Sequence, residues 1–112
     1  MKKINLTITG CMGRMGQQII KSCSKDQKIK LYSLTESKVI TKKINGIRPQ
    51  INNIEAFKNT DVIIDFTVPK CTFEVLKIAS KLKKRVVIGT TGFNKKEESL
   101  IKSYSRKIPI LK

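Results

Sequence analysis

Apolar and polar positions along the chain follow the period of a strand, then that of a helix, and the two patterns keep alternating. Residues 3–9 (Lys-Ile-Asn-Leu-Thr-Ile-Thr) put Ile4, Leu6 and Ile8 on one face and predict a strand ending at Gly10. Residues 14–24 space Met15, Ile19 and Cys23 at i, i+4 and i+8, with Ile20 alongside, and predict an amphipathic helix. Residues 29–35 alternate again as a second strand. The stretch 36–53 is the least regular, with Gly46 and Pro49 in it and a weak strand signal around Arg48–Ile51; residues 54–59 fit one or two helical turns. Asp61-Val62-Ile63-Ile64-Asp65-Phe66 is a continuous apolar run between acids, as in a parallel strand covered on both faces. Pro69 opens the next helix, with Val75, Ile78, Ala79 and Leu82 as its buried stripe. Arg85–Ile88 is another buried strand, closed by Gly89-Thr90-Thr91-Gly92. Asn94 and Glu97 have capping-box spacing ahead of a helix whose face is Leu100, Ile101 and Tyr104. Ile108–Leu111 forms a last strand, and Pro109 suits an edge position. Strands alternating with helices in this way predict right-handed crossovers and a parallel sheet with helices on both faces.

Length and composition narrow the picture. With 112 residues, 39% hydrophobic and 29% charged, the chain makes one globular domain and is neither collagen-like nor disordered. It has no apolar run of roughly 18 residues, so no transmembrane helix is expected. The opening Met1–Thr7 resembles a leader only briefly, because Asn5, Thr7 and Thr9 break the apolar stretch and no small-residue cleavage site follows. Three cysteines (11, 23 and 71) are an odd, unclustered set without metal-ligand spacing, which points to a reducing cytoplasm. No histidine is present, so the commonest neutral-pH acid–base group is missing. The net charge of +16 invites a nucleic-acid partner, but 20 of the 24 cations are Lys and they are scattered. Phosphate and guanine recognition favours Arg, so this charge argues weakly for nucleic acid.

In open α/β sheets ligands sit beyond the carboxyl ends of the strands, near the point where strand order reverses. The segments following the strands are Gly10-Cys11-Met12-Gly13-Arg14-Met15-Gly16, Phe66-Thr67-Val68-Pro69 and Gly89-Thr90-Thr91-Gly92, all small or polar loops expected at one sheet edge. The first turns sharply from strand to helix, where backbone N–H groups and the helix dipole favour phosphates. Its spacing is G-x-x-G-x-x-G, with Met12 where a second Gly is usual; a purely structural turn is the competing reading. Glu36 lies about 20 residues on, at the end of the second strand, where an acid accepts from an adenosine ribose. Ser37 and Lys38 follow; Lys38 leaves NADP open while Glu36 favours NAD. Arg14 is a candidate for a cofactor phosphate.

Gly10-x-x-Gly13-Arg14-Met15-Gly16, Ile64-Asp65-Phe66-Thr67-x-Pro69 and Val87-Ile88-Gly89-Thr90-Thr91-Gly92-Phe93 together resemble the 4-hydroxy-tetrahydrodipicolinate reductase (dihydrodipicolinate reductase) family in order and spacing. The resemblance covers essentially the whole chain but only the family's amino-terminal, cofactor-binding part. It implies an α/β fold, Rossmann-like and doubly wound, with a mostly parallel sheet in a single domain (residues 1–112), cut off before the substrate domain. It implies an oxidoreductase of lysine and diaminopimelate synthesis, passing hydride from NAD or NADP to a cyclic dicarboxylate imine, cytoplasmic and homo-oligomeric at full length. By position, Gly10, Cys11, Met12, Gly13, Arg14 and Met15 would wrap the pyrophosphate, and Glu36 would hold the ribose. Ser37 stands where many members have an Arg for the 2′-phosphate. Gly89, Thr90 and Thr91 would line the nicotinamide side, with Phe66 and Thr67 between the halves. The family's Ala-x-Asn loop and His-His-x-x-Lys region have no counterpart, so the chain alone is expected to be catalytically inactive, with no catalytic residue of its own. The alternative is a stand-alone dinucleotide-binding or redox-sensing module.

Other candidates have plainer readings. Cys11, at a helix start that can lower a thiol pKa, reads better as a small tolerated loop residue. Cys23 and Cys71 read as core-facing. Asp61 and Asp65 are too far apart on a strand to act as a carboxylate pair; Asp61 reads as a turn acid and Asp65 as a structural hydrogen-bonder.

Overall fold

A computed structural model describes residues 3–112; Met1 and Lys2, the opening of the leader-like segment, lie outside them. The elements run β1 (Ile4–Thr9), α1 (Arg14–Cys23), β2 (Ile29–Thr35), α2 (Ile54–Phe57), β3 (Val62–Asp65), α3 (Pro69–Leu82), β4 (Arg85–Ile88), α4 (Lys95–Tyr104) and β5 (Ile110–Leu111). They form a five-stranded sheet in the order β2-β1-β3-β4-β5, every pairing parallel. The chain steps outward from β1 to β2, then returns past β1 to β3, so strand order reverses between β1 and β3.

Two cores lie on the two faces of this sheet. On one, Ala56 and Phe57 of α2, Val75, Leu76 and Ala79 of α3, and Ile101 of α4 cover Ile63, Val86 and Ile88. On the other, Ile20 of α1 meets Leu6, Ile8, Cys11 and Leu34. Strand alternation explains the division, since Ile63 and Asp65 face one way and Val62 and Ile64 the other. Helices therefore cover both faces, as the alternating pattern predicts.

Several local expectations change. Along α1 the buried positions are Gly16 and Ile20, while Met15 is 50% exposed. Gly16 lets the start of the helix close over the Gly10–Cys11 turn, where a Cβ would overlap the Gly10 carbonyl, which hydrophobicity alone does not signal. On α4 only Ile101 is buried, and Leu100 is exposed. On α3 Thr72 and Leu76 join the buried side. The strand expected around Arg48–Ile51 reduces to a single parallel bridge between Gln50 and Thr35. Just before it, Ile44-Asn45-Gly46-Ile47 closes a two-residue turn through paired backbone bonds of 2.8 and 2.9 Å. Asn45 and Gly46 both have positive φ there (51° and 78°), the type I′ geometry that Asn-Gly favours. The Asn-Gly dipeptide was the available signal.

Candidate functional site

The loops after β1, β2 and β3 meet at the β1/β3 reversal point. They enclose a cleft of about 290 Å³ lined by Gly10, Gly13, Glu36, Ser37, Phe66 and Thr67, together with Thr35, Asn52, Val68 and Cys71. Gly10 takes φ +66°, and a Cβ there would overlap the Phe66 carbonyl. The glycine therefore lets the β1 and β3 loops touch. Gly13 N donates to Gly10 O (3.0 Å) and Gln17 Nε2 to Met12 O (2.7 Å), tightening the turn into α1.

Gly13, the N-cap of α1, supplies no side-chain cap, and the first turn holds no acid. The N–H groups of Arg14, Met15 and Gly16 begin the helix and have no intrahelical acceptor. By contrast, Asn53 caps α2, and Asn94 with Glu97 closes α4 by a complete capping box. The amino end of α1 is thus electropositive and open beside a cleft. The carboxylate of Glu36 accepts from Met12 N and Ser37 N, both at 3.0 Å. That clasp brings the end of β2 against the glycine loop and holds the acid on the cleft wall.

Other candidates lie elsewhere. Gly89, Thr90 and Thr91 line a second cleft of about 420 Å³ with Ile88, Phe93 and Lys112. The Phe66 ring occupies the space a Cβ on Gly89 would need, so the β3 loop packs its aromatic side chain against the β4 loop. Arg14 lines a separate groove against α1 with Ile44 and Asn45. Met12 and Met15 are exposed. Cys11 is fully buried in the core; burial, then the charge of Glu36, push its thiol up from 9.0 to about 11. The structure thus rules out an activated thiol at this helix start. Cys71 is not a core residue, as the sequence had suggested, but lines the cleft; burial and the nearby acids Glu74 and Asp65 raise its pKa.

Beneath both clefts, Asp65 is fully buried. Its Oδ1 accepts from Thr9 Oγ1 (2.6 Å) and Thr67 Oγ1 (2.9 Å). Its Oδ2 accepts from Thr72 Oγ1 (2.5 Å) and Thr90 Oγ1 (2.9 Å). Thr90 Oγ1 in turn accepts from Thr67 N (2.8 Å). One carboxylate thereby ties the ends of β1 and β4 to the start of α3, as its reading as a structural hydrogen-bonder anticipated. Asp61 accepts from Asn5 N (2.8 Å) at the opposite end of β3.

Thr35, Asn52, Val68 and Cys71 are the cleft residues that sequence reasoning missed. Thr35 and Val68 adjoin residues it did single out, whereas Asn52 lies in the irregular stretch and gave no local sign. Thr35 Oγ1 and Asn52 Oδ1 are buried without a hydrogen-bond partner among the described residues. Leaving such an atom unmet costs about 1–3 kcal/mol.

Sheet order, reversal point and uncapped glycine turn define the class: a Rossmann-type α/β domain. Solved structures share this fold. A dipicolinate-bound dihydrodipicolinate reductase from Paenisporosarcina sp. TG-14 superposes with a TM-score of 0.74 at 24% identity, over 92% of this chain and 43% of that one. A Staphylococcus aureus homoserine dehydrogenase gives 0.77 at 17% identity, over 99% and 32%. In sequence, the family described as "Dihydrodipicolinate reductase, N-terminus" matches residues 4–112. The 4-hydroxy-tetrahydrodipicolinate reductase of Pelagibacter ubique is 68% identical over the whole chain and 43% of its own length. That of Bdellovibrio bacteriovorus is 41% identical over 99% of the chain and 44% of its own length. The chain belongs to the dihydrodipicolinate reductase family, and it spans less than half the length of these relatives.

Proposed function

We propose that the chain is the nicotinamide-dinucleotide-binding portion of a cytoplasmic 4-hydroxy-tetrahydrodipicolinate reductase. The observation that carries this reading is the open, uncapped start of α1, with Glu36 clasped to its loop at Met12 N. The N–H groups of Arg14, Met15 and Gly16 take the pyrophosphate, and Gly10 keeps that approach free of side chains. Glu36 accepts from the ribose hydroxyls, and Gly89, Thr90 and Thr91 flank the nicotinamide. The Thr90 hydroxyl is already engaged by Asp65 and Thr67 N, so its part is to hold the loop. The dinucleotide, when bound, supplies hydride for a cyclic dicarboxylate imine. The substrate frame and proton donor belong, in this reading, to the part of the longer relatives that this chain does not span. NAD is preferred to NADP, because the charged group on the main cleft wall is the Glu36 carboxylate, which repels a 2′-phosphate, and Ser37 offers no cation.

Titration of the purified chain with NADH and NADPH, followed by nucleotide fluorescence, tests this reading. NADH binds more tightly, and Gly13→Asp, which sets a carboxylate at the phosphate turn, abolishes binding of both. If neither nucleotide binds the folded chain, the proposal is overturned. The chain alone is expected to oxidise neither nucleotide when substrate is added; a substrate-dependent loss of absorbance at the nicotinamide band would contradict that.

A further inference from the structure

The fully buried Asp65 carboxylate is held by neutral hydroxyls from the end of β1, the β3 loop, α3 and the β4 loop. We infer that Asp65 is a positioning residue for the nicotinamide half of the dinucleotide. Through Thr90 it fixes the β4 loop against the β3 loop, so its loss weakens the grip on nicotinamide and spares the grip on the ADP-ribose half. The inference rests on the dinucleotide-binding reading and adds to it the group that sets the second half of the site.

A carboxylate is costly to bury, and the neighbouring position on the same face of β3, Ile63, is apolar. Packing alone would be served by another apolar residue at position 65. What the carboxylate adds is two oxygens that accept in different directions at once. Oδ1 takes the hydroxyls of Thr9 and Thr67, at the end of β1 and in the β3 loop. Oδ2 takes those of Thr72 and Thr90, on α3 and in the β4 loop.

Thr90 is the last anchored residue of its loop. It is buried, whereas Thr91 and Gly92 are exposed, and a Cβ on Gly92 would meet nothing within 4 Å. The course of Gly89–Gly92 is therefore set at its start. There Gly89 N donates to Asp65 O (2.8 Å), and Thr90 Oγ1 donates to Asp65 while accepting from Thr67 N. The other half of the site is fixed independently. Glu36 is clasped to Met12 N and Ser37 N, and Thr9 keeps its place through its pairing with both β2 and β3.

ADP-ribose carries the pyrophosphate and both sugars without nicotinamide. The ratio of its dissociation constant to that of NADH, both from titration calorimetry, reads the nicotinamide half alone. In the wild type NADH binds about tenfold more tightly. Asp65→Asn turns its amide donors toward either the Thr9–Thr67 pair or the Thr72–Thr90 pair, so the hold across the two loops is lost either way. This variant and Thr90→Val bring the ratio to within about twofold by weakening NADH. Thr90→Ser, which keeps the hydroxyl and drops the methyl, retains the wild-type ratio. So does Thr72→Val, which removes another donor to the same carboxylate away from the β4 loop. Each ratio is internal to one folded protein, so a loss of stability does not mimic the effect; should Asp65→Asn not fold, the two Thr90 variants decide. A ratio unchanged in Asp65→Asn or Thr90→Val overturns the inference. A ratio lost in Thr90→Ser or Thr72→Val also overturns it, by assigning the effect to a methyl contact or to general damage to the core. If the wild type binds ADP-ribose and NADH equally, the inference falls while the dinucleotide-binding reading stands. If neither binds, that reading itself fails, and this inference with it.

Discussion

Gly10 and Gly89 both press against Phe66, but against different parts of it, and that difference governs how each tolerates a side chain. A Cβ on Gly10 meets a backbone carbonyl and stands at positive φ; a Cβ on Gly89 meets only the ring, which can swing. Gly10→Ala should therefore cost about 3 kcal/mol or more, and Gly89→Ala clearly less, in urea unfolding. The reverse order would mean that the two loops do not pack through Phe66. Cys11 offers a second test at this scale. Burial raises its pKa in the folded chain, so the folded state holds that proton more tightly than the unfolded state does. The stability gained is complete below the ordinary thiol pKa of 9.0. It falls as pH rises through 9 toward 11. With a thiol-reactive dye at pH 8, the half-buried Cys23 and Cys71 should react in the folded chain and Cys11 only on unfolding.

Between elements, Asp65 ties the ends of β1 and β4 to the start of α3 through side-chain hydrogen bonds. Asp65→Asn replaces an all-acceptor group with one that carries two donors, so the hydroxyls of Thr9, Thr67, Thr72 and Thr90 can no longer all donate to it. A loss of about 3 kcal/mol is expected, in keeping with hydrogen bonds to a buried charge. Thr90→Val preserves shape but strands Thr67 N, at about 2 kcal/mol. Because the two residues share one network, the double variant should lose less than the sum, by at least about 0.5 kcal/mol. Strict additivity in denaturant unfolding would show that the network does not act as a unit. At α4, Asn94→Ala removes the capping box and should cost about 1 kcal/mol without altering nucleotide affinity.

On the scale of the whole molecule, parallel order and crossover hand bring the three loops to one edge, although they lie far apart in the chain. No helix among the described residues is long and apolar enough to cross a membrane. The charge of +16 is spread over lysines, so any association with duplex DNA should be non-specific. Binding in a filter or anisotropy assay should vanish by about 0.2 M salt, and sequence-selective binding persisting there would reopen a nucleic-acid role. On the face covered by α1, Val87 of β4 is half-buried, and its register partner Leu111 on β5 is 68% exposed. Leu111→Lys should therefore lower binding of a hydrophobic dye with little change in unfolding midpoint.

Most elements were legible in the sequence because each has its own period and punctuation. Apolar runs bounded by acids made β3, proline opened α3, and Asn94 with Glu97 announced α4. The glycine turn and Glu36 were legible too, since both are local chemistry at a strand end. Other features depended on what stood opposite. Met15 and Leu100 continue a helical pattern yet face solvent, because the turns of α1 and α4 put Gly16, Ile20 and Ile101 on the buried side instead. Cys71 reads as a core residue but ends on a cleft wall. Asn52 carries no periodic signal and reaches the cleft because the chain folds back beside Thr35 at the Gln50 bridge. By itself the sequence determined most elements, the parallel class and the glycine turn into α1, which rest on interactions within a few residues. Only the tertiary structure decided that four threonines converge on Asp65 and that, among the described residues, Thr35 Oγ1 and Asn52 Oδ1 find no hydrogen-bond partner. Both depend on long-range packing that brings residues distant in the chain to one sheet edge.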